Sequence, residues 1–90
     1  MKKEQKGLLA GFDEKIWESF TAGIEKYVSP IDLMEDDVWA ALKQVVSAED
    51  TEIVRWLQTR IPALAGDAPV DMLLITDGDK ILKALILQMR

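Results

Sequence analysis

Ninety residues fit one domain and leave little room for a second, and a domain this small buries only about 60% of the surface its unfolded chain exposes. With no cysteine and no histidine, the chain cannot build disulfides, zinc–thiolate sites, thiol nucleophiles or histidine-dependent triads. Eleven Lys and Arg against 16 Asp and Glu give a net charge of −5, which is the wrong sign for a protein that draws its affinity from DNA phosphates and the right one for a basic protein partner.

Apolar residues make up 49% of the chain, enough to fold and too many for a disordered tract. No run reaches the 18 apolar residues of a membrane span. The basic opening Met1-Lys2-Lys3 is followed by too short an apolar stretch for a signal peptide, so a cytoplasmic location is expected.

Residues 1–11 read as a flexible lead-in, and residues 12–90 as a single helical domain. Asp13 is placed to cap the first helix. Phe12, Ile16, Phe20, Ile24 and Val28 recur every four residues, so the helix is expected to continue until Ser29-Pro30 stops it. Ser29 and Pro30 then open a second segment, whose apolar positions Val38, Trp39, Leu42, Val45 and Val46 keep helical spacing. Ser47 resembles a new N-cap, and Ile53, Val54, Trp56 and Leu57 are expected to face inward on the helix that follows.

Ile61-Pro62 breaks that helix, and Ala63-Leu64-Ala65-Gly66 reads as a loop carrying one buried leucine. Asp67 followed by Pro69 predicts a short helix to Ile75 with Val70, Leu73 and Leu74 available for burial. Met72-Leu73-Leu74-Ile75 could form a strand in isolation, but the proline start favours a helix. Thr76 is expected to cap the last helix, with Asp79 in the capping-box position, and Ile81, Leu82, Leu85, Ile86 and Met89 form its apolar face. The expected fold is all-α, a compact bundle of four to five short helices.

Two acidic stretches invite a metal reading. Glu35-Asp36-Asp37 lacks the alternating ligands and central glycine of a calcium loop, and Asp77-Gly78-Asp79 is accounted for by helix capping. No metal, cofactor or small-molecule substrate is expected. The five glycines are too scattered for a phosphate loop, and Lys and Arg do not cluster beside aromatic residues as a nucleic-acid platform requires. Three tryptophans, Trp17, Trp39 and Trp56, lie on predicted apolar faces. Core packing is the plainer reading, and anchoring a partner is the sharper one.

Trp56-Leu57, Ala63-Leu64, Gly66, Pro69, Leu73 and Gly78 follow a pattern of their own. In composition and interval the stretch resembles the toxin-binding domain of the bacterial Xre/MbcA/ParS antitoxins, over residues 38–90. The resemblance implies a non-catalytic module that binds and neutralises a RES-domain toxin, an NAD-consuming enzyme, with its C-terminal region. Asp77, Asp79, Lys80, Lys83, Leu87, Gln88 and Arg90 are then the expected exposed contacts on the last two helices.

Members of that family usually carry a helix-turn-helix segment in front. The N-terminal half here shows no clear pattern of that kind and is not basic, so nucleic-acid binding is not expected. Arg60 stands where the family has proline and Ile61 where it has a polar residue. The chain stops at Arg90 where members run a little further, so the segment that would enter a toxin's active site is expected to be missing. A different class remains open, a small acidic inhibitor or adaptor from a mobile element acting on a basic nucleic-acid-handling protein. Self-association into a homodimer is also open, because short helical domains often bury apolar faces against a copy.

Overall fold

A computed structural model describes residues 1–90. It is all-α, with helices α1 (Lys3–Gly11), α2 (Glu14–Ala22), α3 (Asp36–Val45), α4 (Asp50–Leu57) and α5 (Gly78–Met89), and two 3-10 helices, Pro62–Leu64 and Pro69–Leu74, between α4 and α5. No helix is long and apolar enough to cross a membrane.

The last helix is the centre. All residues from Ile81 to Ile86 are buried, so α5 is covered on every side rather than along one stripe. It packs against α1, α3 and the Pro69–Leu74 helix. Ile81, Leu82 and Ile86 are fully enclosed, and each such side chain contributes about 1.5–3 kcal/mol on removal from water. Trp17 from α2, Trp39 and Leu42 from α3, Ile53 and Leu57 from α4, and Leu64 and Met72 from the 3-10 segments complete one continuous core.

The start of the chain departs from expectation. Residues 1–11 are not a flexible lead-in, because Lys3–Gly11 is helical and packs on α5 and on the Pro62–Leu64 turn. Leu8 joins the core and Gln5 is 1% exposed. The Gln5 amide donates to the Leu64 carbonyl at 3.0 Å and to the Asp67 carboxylate at 2.6 Å. Lys2 donates to the same carboxylate at 2.9 Å and to the Ala65 carbonyl at 3.2 Å. These partners lie some sixty residues away in sequence, so local pattern could not reveal them. Asp67, expected to begin the following helix, instead holds the N-terminus, while Asp71 accepts from the Ala68 N–H at 3.0 Å.

Asp13 caps α2 as its position predicts, accepting from the Lys15 and Ile16 N–H groups. The helix then ends at Ala22 rather than running to Ser29. Gly23 is the weak point, and the four-residue stripe is only partly buried, with Phe12, Phe20 and Ile24 packed against the core. Trp17 is enclosed, whereas Ile16 is 43% and Val28 82% exposed. The chain leaves α2 as an irregular segment. Ser29 then forms a local turn, its hydroxyl accepting from the Ile31 N–H at 3.1 Å, where a helix start was expected. α3 begins only at Asp36. α4 begins at Asp50, three residues after Ser47, and turns Val54 outward.

Pro69–Leu74 is a 3-10 helix. Three residues per turn bring Pro69 and Met72 onto the buried side and leave Leu74 73% exposed, contrary to the burial expected for it. At the entry to α5, Asp77 takes φ 60° and neither Thr76 nor Asp77 makes a side-chain cap. A Cβ on Gly78 would lie 1.6 Å from the Met72 carbonyl oxygen. Only glycine lets the 3-10 helix fold this tightly onto the start of α5.

The hydrogen bonds from Lys2, then from Gln5, hold the Asp67 carboxyl below its ordinary value of 3.8. A carboxyl depressed in the folded state stabilises it fully above the unfolded pKa and loses that contribution as pH falls through the folded one. Acidification below about pH 4 is therefore expected to loosen α1 before the rest, read as rising amide exchange in residues 3–11. Asp67→Asn should show the loosened α1 at neutral pH and little further change with acid. An α1 equally protected at pH 7 and pH 3 would contradict the latch.

Candidate partner-binding surface

The residues expected to contact a partner do not form one face. Asp77 and Lys80 are exposed and Asp79 half-buried at the N-terminal end of α5, with the Lys80 ammonium 3.9 Å from Asp77. Gln88 and Arg90 are exposed at the other end, about 15 Å away at 1.5 Å per residue. Leu87 is half-buried against the core. Together with Leu8, Ile16 and Gln88 it lines a cleft of about 160 Å³ where α1 and α2 meet the end of α5. The Arg90 guanidinium lies 5.7 Å from the Phe20 ring.

Lys83 is not an exposed contact. Its side chain is 7% exposed, with the ammonium 3.7 Å from Glu35 and 5.6 Å from the Trp17 ring centre. Helical spacing places position 83 on the polar side of α5, but α2 and the start of α3 cover that side, and the charge is met there by a carboxylate and a ring face.

The motif residues do come together. Leu57, Leu64, Pro69 and Gly78 are buried, and Trp56 and Leu73 pack half-buried against the core. Gly66 takes φ 86° in the turn. Every one of these positions is therefore explained by packing or backbone geometry. What they build outward is the junction between the Pro69–Leu74 helix and α5. Leu74 at 73% and Ile75 at 40% exposure stand there, flanked by exposed Asp71, Thr76 and Asp77. The 3-10 geometry that exposes Leu74 left no periodic signal in the sequence.

A second concave surface lies where the chain leaves α2 and enters α3. The groove has a volume of about 420 Å³, and its walls include Ile24, Lys26, Tyr27, Val28, Asp36 and Asp37. Tyr27 donates its hydroxyl to Glu25 at 2.9 Å, which holds its ionisation above the ordinary value of 10.0. Lys43 sits 4.8 Å from the centre of the same ring. The acidic stretch at the head of α3 does not converge on one point. Glu35 faces Lys83, Asp36 accepts the Ser29 N–H at 2.8 Å, and Asp37 accepts the Trp17 indole N–H at 2.7 Å. The second oxygen of Asp37 is buried without a hydrogen-bond partner. Sequence reading gave this stretch a helix-start role and did not find the groove. The signal was Tyr27-Val28 lying between Gly23, which weakens a helix, and Ser29-Pro30, which stops one, so that these apolar residues fall outside a helix.

No family model, curated protein or solved structure matches the chain.

Burial of Lys83 sets a sharp outcome. Lys83→Glu, which a solvated contact would tolerate, should destabilise the fold by about 1–3 kcal/mol, because it places a carboxylate on a side chain only 7% exposed, beside Glu35 and against the Trp17 ring. Lys80→Ala and Gln88→Ala should change stability by less than about 0.5 kcal/mol. Urea midpoints measure all three, and a Lys83→Glu midpoint equal to that of Lys80→Ala would contradict this assignment.

Proposed function

We propose that this chain is a non-catalytic, antitoxin-like protein-binding module that works in the cytoplasm and neutralises a RES-type toxin. The observation that carries this reading is the exposed Leu74-Ile75 pair at the junction of the two C-terminal helices. A large aliphatic group held outward by a rigid turn, with Pro69 and Gly78 fixing its two ends, supplies a pre-formed apolar anchor at no ordering cost. Asp71 and Asp77 around it supply a polar rim that favours a basic partner surface. The intervals from Trp56 to Gly78, shared with the toxin-binding domain of the antitoxins, support the same region of the chain.

The carboxylates of the α2–α3 groove favour a second reading, in which the protein is a small acidic inhibitor of a basic nucleic-acid-handling protein. The two readings separate by salt. Binding dominated by the apolar anchor should persist at high ionic strength, and binding dominated by charge should not.

The test mixes the protein with a RES-domain toxin and reads the complex by size exclusion. A stable complex is expected. Leu74→Asp should weaken it at least tenfold, about 1.4 kcal/mol or more, the order of a buried hot spot, while leaving thermal unfolding unchanged. No complex, or a complex indifferent to Leu74→Asp, would overturn the proposal.

A further inference from the structure

The chain between α2 and α3, residues 23–35, carries no helix. Within it Glu25, Lys26, Tyr27 and Val28 are exposed in succession. None of their backbone N–H or carbonyl groups makes a hydrogen bond within the chain. The nearest backbone ties are the Ile24 N–H, which donates to the Thr21 carbonyl at 3.5 Å, and the Ser29 N–H, which donates to Asp36 at 2.8 Å. The Lys26 ammonium pairs with no carboxylate. An endoprotease seats its substrate as an added strand and bonds to the substrate's backbone. A run of free peptide groups around an unpaired lysine meets that need, because susceptibility follows the burial and hydrogen bonding of the backbone to be cut. The other basic residues are placed differently. Lys3, Lys6 and Lys15, like Lys43, Arg55, Lys80 and Lys83, lie inside α-helices. Lys2 spends its ammonium on Asp67 and its carbonyl on the Lys6 N–H at 2.9 Å. Arg60 is exposed, but the next residue, Ile61, donates to the Asp67 carbonyl at 3.2 Å and accepts from the Leu64 and Gly66 N–H groups. Arg90 is the final residue.

We propose that Lys26–Tyr27 is the one bond at which a protease that cuts after basic residues opens the native protein, and that the two pieces then stay folded together. Water adds across the amide and the C–N bond breaks. Lys26 is left with a carboxylate and Tyr27 with an ammonium group. The pieces hold because their contacts lie in the core and across the N-terminal clasp. Trp17 is 1% exposed and its indole N–H donates to Asp37 at 2.7 Å. Leu8 belongs to the core cluster, and Lys2 and Gln5 both donate to Asp67. The cut turns α1 and α2 from a covalent wall of the core into a separable subunit, so the covering of α5 comes to depend on protein concentration. Leu74 and Ile75 remain on the larger piece, and the inference does not rest on the toxin-binding reading.

The experiment exposes the full native chain to a trace of trypsin and reads the products by intact mass and size exclusion. The first products are expected to be residues 1–26 and 27–90, eluting together. The unfolding temperature of the cut pair should rise with protein concentration, as that of the uncut chain does not. Lys26→Gln should slow the loss of intact chain about tenfold or more, because every other basic site needs a helix or a bonded turn to open first. Lys26→Arg should be cut as readily as the original. Both changes lie at an exposed, unpaired side chain and should leave thermal unfolding of the uncut chain unchanged. A first cut at any other bond, a chain that resists trypsin, loss of the Lys26→Gln chain at the original rate, or pieces that elute apart would overturn the proposal.

Discussion

The burial of α5 on all sides is the constraint from which the rest of the molecule follows. A helix of 12 residues with Ile81 to Ile86 all enclosed needs neighbours on every face, and ninety residues must supply them. α3 and the Pro69–Leu74 helix cover two sides, α1 adds another, and Trp17 of α2 lies against Lys83. The N-terminal helix is therefore a wall of the core rather than an appendage. The same demand explains Lys83. Full coverage leaves no polar stripe for a cation to occupy, so its charge is answered locally by Glu35 and the Trp17 ring.

Few polar contacts hold this arrangement, and they join distant parts of the chain. Asp67 gathers Lys2 and Gln5 from the N-terminus to the turn before the 3-10 helix. Asp37 ties α3 to α2 through the Trp17 indole. Asp36 and Ser29 tie the irregular connection to the head of α3. Each of these acids stands at or near a helix start, where the helix dipole alone would account for a carboxylate. In this fold the same carboxylates also carry the long-range register.

The helical class, the N-cap at Asp13 and the core face of α3 were legible from residue spacing, because period and burial agree there, and on α5 the spacing found Ile81, Leu82, Leu85 and Ile86, while Met89 on the same stripe is 38% exposed. Three features were not legible, each for a physical reason. α1 owes its order to partners across the whole chain, and its local pattern showed only a short apolar run, Leu8-Leu9-Ala10, between two glycines. Val28 and Leu74 lie in positions that mimic helical periodicity, but Gly23 ended one helix early and 3-10 winding rotated the other. Lys83 sits on the polar side of a helix that proved to have no exposed side at its middle. The expected contact set consequently separates into two ends of α5, and the outward-facing chemistry moves to the Leu74-Ile75 turn and to the α2–α3 groove.

If α5 is the shared wall of every packing layer, its amides can exchange with solvent only when the whole domain unfolds. Native-state hydrogen exchange measured residue by residue against denaturant tests this most directly. The account predicts that Leu82 to Leu87 exchange with the free energy of global unfolding and that residues 3–11 exchange at a lower one. Exchange of the α5 amides well below the global value, or at the same energy as α1, would contradict it.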